Sequence, residues 1–218
     1  MLGTHDLALF IASGLLLNLT PGADLLYITS RSASHGMRAG AAAVLGVSAG
    51  CAVHVLAAAL GVSALLATSA SAFTLLKWLG AAYLVYMGVA LLRHRPASAA
   101  PGSLREGDTA RPPSLRAVAA QGFLTNVLNP KVALFFLAFV PPFIDPAAPD
   151  KPLAFLFLGA IFTFNSTLCC LLLAWVAARL GARLGAAGLG ARAGTWIRRT
   201  AGGLFVLLGL RLALGERG

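Results

Sequence analysis

The chain alternates between long apolar runs and short polar or arginine-rich segments. A helix needs about 20 apolar residues to cross the hydrocarbon core of a bilayer, and six runs approach or exceed this length. They lie at about 7–30, 39–67, 72–92, 117–142, 153–178 and 200–214, and the last is short. The pattern predicts an all-α integral membrane protein with six transmembrane helices. A five-span version, in which the last run lies on the membrane surface, is the alternative.

Two of these runs are interrupted by residues that an apolar helix does not favour. The interruptions are Asn18–Asp24, with the sequence NLTPGAD, and Asn126–Lys131, with the sequence NVLNPK. At a rise of about 1.5 Å per residue, each lies roughly 20 Å from the start of its run, near the middle of the membrane. Proline is favoured at the first position of a helix after a threonine or asparagine cap. Runs one and four are therefore predicted to be broken helices.

The start of each second half-helix is suited to binding an anion. The first N–H groups, on Gly22 and Ala23 in one run and on Lys131 and Val132 in the other, lack partners within the helix and carry a partial positive charge. Such an end attracts a carboxylate. Because unsatisfied backbone in hydrocarbon is costly, we expect both breaks to be buried in protein or to line a wet cavity.

Polar side chains within the predicted spans indicate a site, because ionisable residues are costly there and functional by default. Asp24 is predicted to bind an ammonium or a proton, or alternatively to form a structural ion pair with Lys131. Histidine is the side chain that changes charge near neutral pH without help, so His54 is predicted to be either a proton relay or a packing residue. Proton coupling is predicted for Asp24 and His54. The predicted substrate-binding residues are Asn18, Thr20, Pro21, Gly22, Asp24, Asn126, Asn129, Pro130, Lys131 and Asn165.

Composition and charge support a membrane location. Charged residues make up only 11% of the chain, against about a quarter in soluble domains. The net charge of +10 could suggest nucleic acid as a partner, but no nucleic-acid-binding motif is present. Most arginines lie in the loops 31–38, 93–116 and 179–199. Positive residues beside spans stay in the cytoplasm, so both termini are predicted outside.

The two halves of the chain share a pattern, which indicates an internal repeat. Gly14-x3-Asn18-x2-Pro21 parallels Gly122-x3-Asn126-x3-Pro130, and 80–88 parallels 201–209. Because each half has three spans, the second half must be inverted relative to the first, as in many secondary transporters. The sequence predicts a single transmembrane domain, 1–218. Its parts are repeat one at about 7–92, a basic cytoplasmic loop at 93–116 and repeat two at about 117–214.

These motifs, in this order and spacing, resemble the LysE/RhtB family of amino-acid exporters. The resemblance rests on the two interruptions, on Gly46-x3-Gly50-x3-His54, on 80–88 and on Phe135–Phe139 after the second interruption, and it covers about residues 7–214. It implies a bacterial inner-membrane transporter without a cofactor, which exports small amino acids or derivatives, such as homoserine, threonine or basic amino acids, in exchange for protons. Ala23 stands where many relatives have a second proline.

Three other functions fit parts of the sequence. Cys51 and Cys169 lie in different halves, which leaves open a membrane thiol–disulfide or electron-transfer protein. Gly46–Gly50 matches the G-x-S-x-G pattern of serine hydrolases, but that motif requires a strand-to-helix elbow. In an apolar helix, the same glycine spacing favours close helix packing, either within the monomer or between subunits. A metal exporter is disfavoured, because hard cations need several oxygen ligands and the spans offer one acid, Asp24.

Overall fold

The computed structural model describes residues 2–20, 22–62 and 114–183, together with isolated helical positions between Ser71 and Leu92 and between Gly203 and Leu210. The described residues are mostly helical. The helices are α1 (Leu7–Leu19), α2 (Ala23–Ala57), α3 (Leu115–Val127), α4 (Pro130–Leu134) and α5 (Lys151–Arg183). Short π-helical turns at Ala58–Val62 and Phe135–Phe139 extend α2 and α4, and a 3-10 turn follows at Pro141–Phe143.

Both predicted helix breaks are confirmed. The first lies between the end of α1 and the start of α2, and the second between α3 and α4, where the helix axis bends by 48°. Asn129 caps α4 as predicted, because its side chain accepts a hydrogen bond from the Lys131 amide and Pro130 is the first helical residue. The cap predicted for the first break was wrong, since Thr20 ends α1 and Gly22 precedes α2. Pro21 lies outside the described residues.

Helix α2 folds back on itself at Gly36. This residue has φ 76° and ψ −178°, within an element that is otherwise helical, and a positive φ is readily available only to glycine. Ser32 contacts Gly40, although eight residues of straight helix would separate them by about 12 Å. The reversal confirms the boundary predicted at 31–38. It divides α2 into a first arm, 23–35, and a second arm, 37–57.

Close packing of small residues joins α2 to α3. A Cβ added at Gly50 would lie 2.8 Å from the carbonyl oxygen of Phe123, and one added at Gly46 would overlap the backbone of Ala119. Between the helices, the Tyr27 hydroxyl donates to the Val118 carbonyl over 2.8 Å. The predicted role of the glycine spacing in helix packing is confirmed within the monomer.

The segment before α1 contacts the segment before α5. The His5 amide donates to the Phe143 carbonyl and the Asp145 amide to the Gly3 carbonyl. The N-terminal segment therefore lies at the same end of the bundle as the segment before α5. The predicted spans place these two segments on the same side of the membrane, and the structure agrees.

Within the described part of the chain, two helices are long and apolar enough to cross a membrane. They are Ala23–Gly61, which contains the reversal at Gly36, and Lys151–Leu180. The bent pair of α3 with α4 and its extension counts as a third candidate span, and α1 is a shorter apolar helix. Only separate helical positions are described within the third and sixth predicted spans, and most of the basic loop 93–116 lies outside the described residues.

Candidate functional site

The carboxylate of Asp24 joins the two helix breaks. Asp24 lies in the first turn of α2, and its Oδ2 atom accepts hydrogen bonds from the side-chain amides of Asn126 and Asn129, over 2.9 and 2.8 Å. Both asparagines belong to the second break, and both are buried. A carboxylate held by two amide donors is a charge-assisted arrangement, which is stronger than neutral hydrogen bonding. The predicted meeting of the two breaks is confirmed at these residues.

The ammonium of Lys131 makes the reciprocal link from the second break to the first. Its Nζ atom donates to the backbone carbonyls of Leu17 and Thr20, over 3.0 and 3.1 Å. These carbonyls lie at the end of α1, where a cation complements the negative end of the helix dipole. Among the described residues, the only ion pair joins His5 and Asp6, so the alternative of a direct pair between Asp24 and Lys131 was wrong.

The start of α4 is not available to an anion in the way that the sequence predicts. The Lys131 amide donates to the Asn129 side chain, and the Val132 and Ala133 amides approach the Asn129 carbonyl at 3.2 Å. The start of α2 already carries the negative charge of Asp24. Because a helix start attracts anions through its free amides and its positive end, the second break does not provide the open anion site that we expected, and at the first break an anion would meet the charge of Asp24.

A small cavity lies where the two breaks meet. Its volume is about 30 Å³, and one water molecule requires at least about 10 to 15 Å³ by the same kind of measure. The cavity is therefore large enough for about two water molecules and too small for an amino acid. The lining residues are Leu17, Asn18, Asp24, Leu25, Val47, Ser48, Cys51, Asn126, Lys131, Val132, Phe162, Thr163, Ser166 and Cys170.

Three buried polar atoms of the lining side chains have no hydrogen-bond partner within the described part of the chain. They are the Nδ2 of Asn18, the Oδ1 of Asp24 and the Oδ1 of Asn126. The other polar atom of each side chain is engaged, since Asn18 Oδ1 accepts from the Ser166 hydroxyl over 3.0 Å and the other two join each other. A buried polar group left unpaired costs about 1–3 kcal/mol. The site therefore offers one donor and two acceptors to a ligand.

Of the predicted site residues, Asn18, Asp24, Asn126 and Lys131 line the cavity, and six others do not: Thr20, Gly22, His54, Asn129, Pro130 and Asn165. Asn165 belongs to the same helix as Thr163 and Ser166, but it is not among the residues that line the space. The Nε2 atom of His54 lies 3.0 Å from the backbone carbonyl of Asn126, so His54 contacts the second break from outside the cavity. Substrate binding by Asn165 therefore stays a prediction without a contact to this cavity, whereas His54 adjoins a residue that holds Asp24.

Sequence reasoning missed a wall of small polar side chains on α2 and α5. Ser48 and Thr167 are joined by a hydrogen bond of 2.7 Å, and the Cys51 thiol lies 3.5 Å from the Thr163 hydroxyl. Serine, threonine and cysteine side chains are only weakly polar, so these residues do not stand out within apolar runs of the sequence. The cysteines were noticed, but Cys170, not Cys169, lines the cavity with Cys51. No group of three or more His, Cys, Asp or Glu side chains in the described ranges could hold a metal ion.

Comparison with known proteins agrees with this architecture. A family model described as LysE type translocator matches residues 15–216. The chain belongs to this family. LysE type translocators are membrane transporters rather than enzymes, and the family match together with its efflux relatives supports export of amino-acid-type compounds. No solved structure gives a significant match to this translocator.

The translocator is also similar to several bacterial proteins over most of its length. An uncharacterized membrane protein of Pseudomonas aeruginosa is 34% identical over 97% of this chain and 96% of its own. An uncharacterized membrane protein of Vibrio cholerae is 36% identical over 71% of this chain and 72% of its own. A homoserine/homoserine lactone efflux protein of Salmonella typhi is 29% identical over 94% of each chain. The relatives therefore include a named exporter that aligns with nearly the whole chain.

Proposed function

We propose that this translocator exports small amino acids or their derivatives from the bacterial cytoplasm across the inner membrane, in exchange for protons. Homoserine-like and threonine-like compounds are the first candidates, because one full-length relative is named as a homoserine and homoserine lactone efflux protein. Basic amino acids are the second group. The proposed substrate site lies at the cavity between the two helix breaks, which must widen to admit an amino acid.

The observation that carries the proposal is the position of the Asp24 carboxylate. It lies in an apolar bundle at the junction of both breaks, and only one of its two oxygens is occupied, by Asn126 and Asn129. A carboxylate in this position can bind either a substrate ammonium or a proton, and binding of one weakens the affinity for the other. Competition between the two at Asp24 would couple outward movement of substrate to inward movement of protons.

Two contacts support the inverted-repeat arrangement, because in each of them a helix of one half packs against a helix of the other half. Gly14 of α1 packs against Phe162 of α5, whereas Gly122 of α3 packs against Ala43 in the second arm of α2. A two-fold axis that superimposes α1 on α3, and the second arm of α2 on α5, would convert the first of these contacts into the second. We therefore propose two inverted repeats of three spans, with the substrate site at their interface.

The proton-relay role of His54 stays a prediction. Its ring contacts the carbonyl of Asn126, a residue that also binds Asp24. His54→Gln can keep a donor to this carbonyl but cannot titrate in the physiological range. Loss of proton-driven export in His54→Gln would support the relay. Normal export in His54→Gln with loss in His54→Leu would assign His54 to positioning Asn126.

Transport in proteoliposomes tests the proposal directly. The purified translocator is reconstituted, vesicles are loaded with a panel of radiolabelled amino acids that includes homoserine, and efflux is measured with and without an imposed proton gradient. We expect efflux of at least one member to accelerate when protons are supplied from the opposite side. Absence of gradient-stimulated efflux for the whole panel, with correctly folded protein, would contradict the function.

A thiol–disulfide or electron-transfer role is the second candidate, because Cys51 and Cys170 line the same cavity as Asp24. All three cysteines are free thiols. Such a function requires the thiols, whereas an exporter that uses Asp24 does not. Replacement of all three cysteines therefore separates the two functions.

A further inference from the structure

We propose that Asn18 binds the carboxylate or carbonyl oxygen of the substrate, opposite an ammonium site formed by Asp24 and Asn126. The inference rests on the proposed function and specifies how its site recognises the substrate. All three residues line the cavity at the helix breaks. Their unpaired atoms form a pattern of one donor, Asn18 Nδ2, and two acceptors, Asp24 Oδ1 and Asn126 Oδ1.

The orientation of each side chain follows from its engaged atom. The Asn126 amide nitrogen donates to Asp24 Oδ2, so its oxygen is left as an acceptor. The Ser166 hydroxyl donates to Asn18 Oδ1, so the Asn18 nitrogen is left as a donor. A primary ammonium has three N–H donors and can satisfy both acceptors, while an oxygen on the adjacent carbon group can accept from Asn18.

Lys131 is the obvious alternative partner for a substrate carboxylate, but its ammonium is already committed. Two backbone carbonyls, of Leu17 and Thr20, accept its hydrogen bonds, and release would leave both without this donor. The Lys131 backbone amide is also taken, by the Asn129 side chain. Asn18 is therefore the unpaired side-chain donor that the described cavity lining offers.

Charge balance agrees with a substrate that carries both groups. Among the described lining residues, Asp24 and Lys131 are the charged ones, and their charges cancel. A zwitterion keeps this balance, whereas an amine without a carboxylate adds an uncompensated positive charge to a buried site. Buried charge without a partner is strongly unfavourable. The site should therefore prefer an amino acid over the amine of the same side chain.

Three probes that share a primary amine test the role of Asn18. They are L-homoserine; 3-aminopropan-1-ol, which is homoserine without its carboxyl group; and homoserine lactone, in which the carboxyl group is closed onto the side-chain oxygen as a neutral ester and keeps a carbonyl. In proteoliposomes, we expect the unmodified translocator to prefer homoserine over the amine by at least about tenfold in kcat/KM. Asn18→Leu should reduce this preference by about tenfold, and lower lactone transport as well, because the amine does not use Asn18.

Asn18→Asp is the sharper variant, because it keeps an oxygen for Ser166 and replaces the donor with a negative charge. It should reverse the preference, so that the amine is transported better than homoserine. If Asn18→Leu fails to insert, Asn18→Asp decides the question. Thr29→Leu is the control, since it also replaces a polar side chain with leucine but lies outside the described cavity lining and bonds only to carbonyls of its own helix, and it should keep the unmodified preference.

The outcomes separate the inference from the proposed function. If both Asn18 variants insert and keep the unmodified preference while Asp24→Asn stops export, the role of Asn18 is wrong and the transport function stands. If the unmodified protein exports no amino acid of the panel, the proposed function and this inference fail together. If another amino acid is exported better than homoserine, the same comparison is made with that amino acid, its amide and its amine.

Discussion

The ammonium nitrogen of Lys131 lies 3.0 Å from the backbone oxygen of Leu17, although the two residues are 114 positions apart in the chain. This bond runs from the second helix break to the first. The Asp24 carboxylate makes the reciprocal link, because it belongs to the first break and accepts hydrogen bonds from Asn126 and Asn129 of the second. Each break therefore receives a charged side chain from the other, which ties the two halves of the bundle together at their centre.

The first prediction concerns Lys131→Met, which keeps the length and apolar stem of the side chain but removes its ammonium. The carbonyls of Leu17 and Thr20 lose a charged donor, and hydrogen bonds to charged groups contribute about 1.5–3 kcal/mol. We expect the apparent midpoint of thermal unfolding in detergent to fall by about 5 °C. Lys151→Met, at the start of α5, is the control and should unfold at the original temperature. Equal midpoints of thermal unfolding for the two variants would contradict a stabilising link between the Lys131 ammonium and the end of α1.

The second prediction is that Asp24→Asn reduces export by at least about tenfold while the protein still inserts. Asparagine has the same size, but it lacks the charge that binds an ammonium or a proton, and its amide competes with the Asn126 and Asn129 donors. Charge-assisted hydrogen bonds are roughly twice as strong as neutral ones. Efflux from proteoliposomes measures the effect. Asp150→Asn is the matched control, because Asp150 caps α5 through the Leu153 amide and asparagine is an equally good cap. Normal efflux from Asp24→Asn would make Asp24 structural.

The third prediction concerns the close contact of α2 with α3. In Gly50→Ala, the added methyl group would lie 2.8 Å from both the Phe123 carbonyl oxygen and the Asn126 Cβ atom. Overpacking of this kind costs typically about 1–3 kcal/mol, and it displaces a residue that holds Asp24. We expect lower thermal stability and slower export. Gly61→Ala is the control, because no residue in the described part of the chain lies within 4 Å of its added methyl group, and a stable, active Gly50→Ala would contradict the packing.

The fourth prediction is that a translocator with alanine at Cys51, Cys169 and Cys170 exports amino acids at close to the original rate. Buried thiols of this kind act as small packing groups, and the loss of a sulfur atom leaves only a small space. Efflux and reactivity with a maleimide probe are measured on the same preparation. A complete loss of function in a folded triple variant would favour the thiol-dependent alternative.

Local backbone chemistry made the breaks predictable from the sequence. Pro130 at a first helical position and Asn129 at the cap have conformational preferences that act within a few residues, so the second break was predicted with its cap. The first break was predicted in position but not in detail, because Gly22 took the capping position that Thr20 was expected to fill. The membrane location followed from the apolar runs in the same local way.

The composition of the cavity wall was not predictable from the sequence. Asn165 and Ser166 are neighbours on α5, and a rotation of about 100° per residue decides which of them meets Asn18. That rotation is set by the packing of Phe162 against Gly14, a contact between residues far apart in the chain. The partner of Lys131 was missed for the same reason. A lysine in an apolar run was expected to meet a carboxylate, and it meets the end of a helix instead.

The small size of the central cavity bears on how cells tolerate this protein. A membrane pore wide enough for amino acids at all times would drain metabolite pools and dissipate the ion gradients that drive cellular work. The space of about 30 Å³ lies where Asp24 and Lys131 bond the two breaks to each other. Passage of an amino acid through the proposed site would therefore require a movement that widens this space.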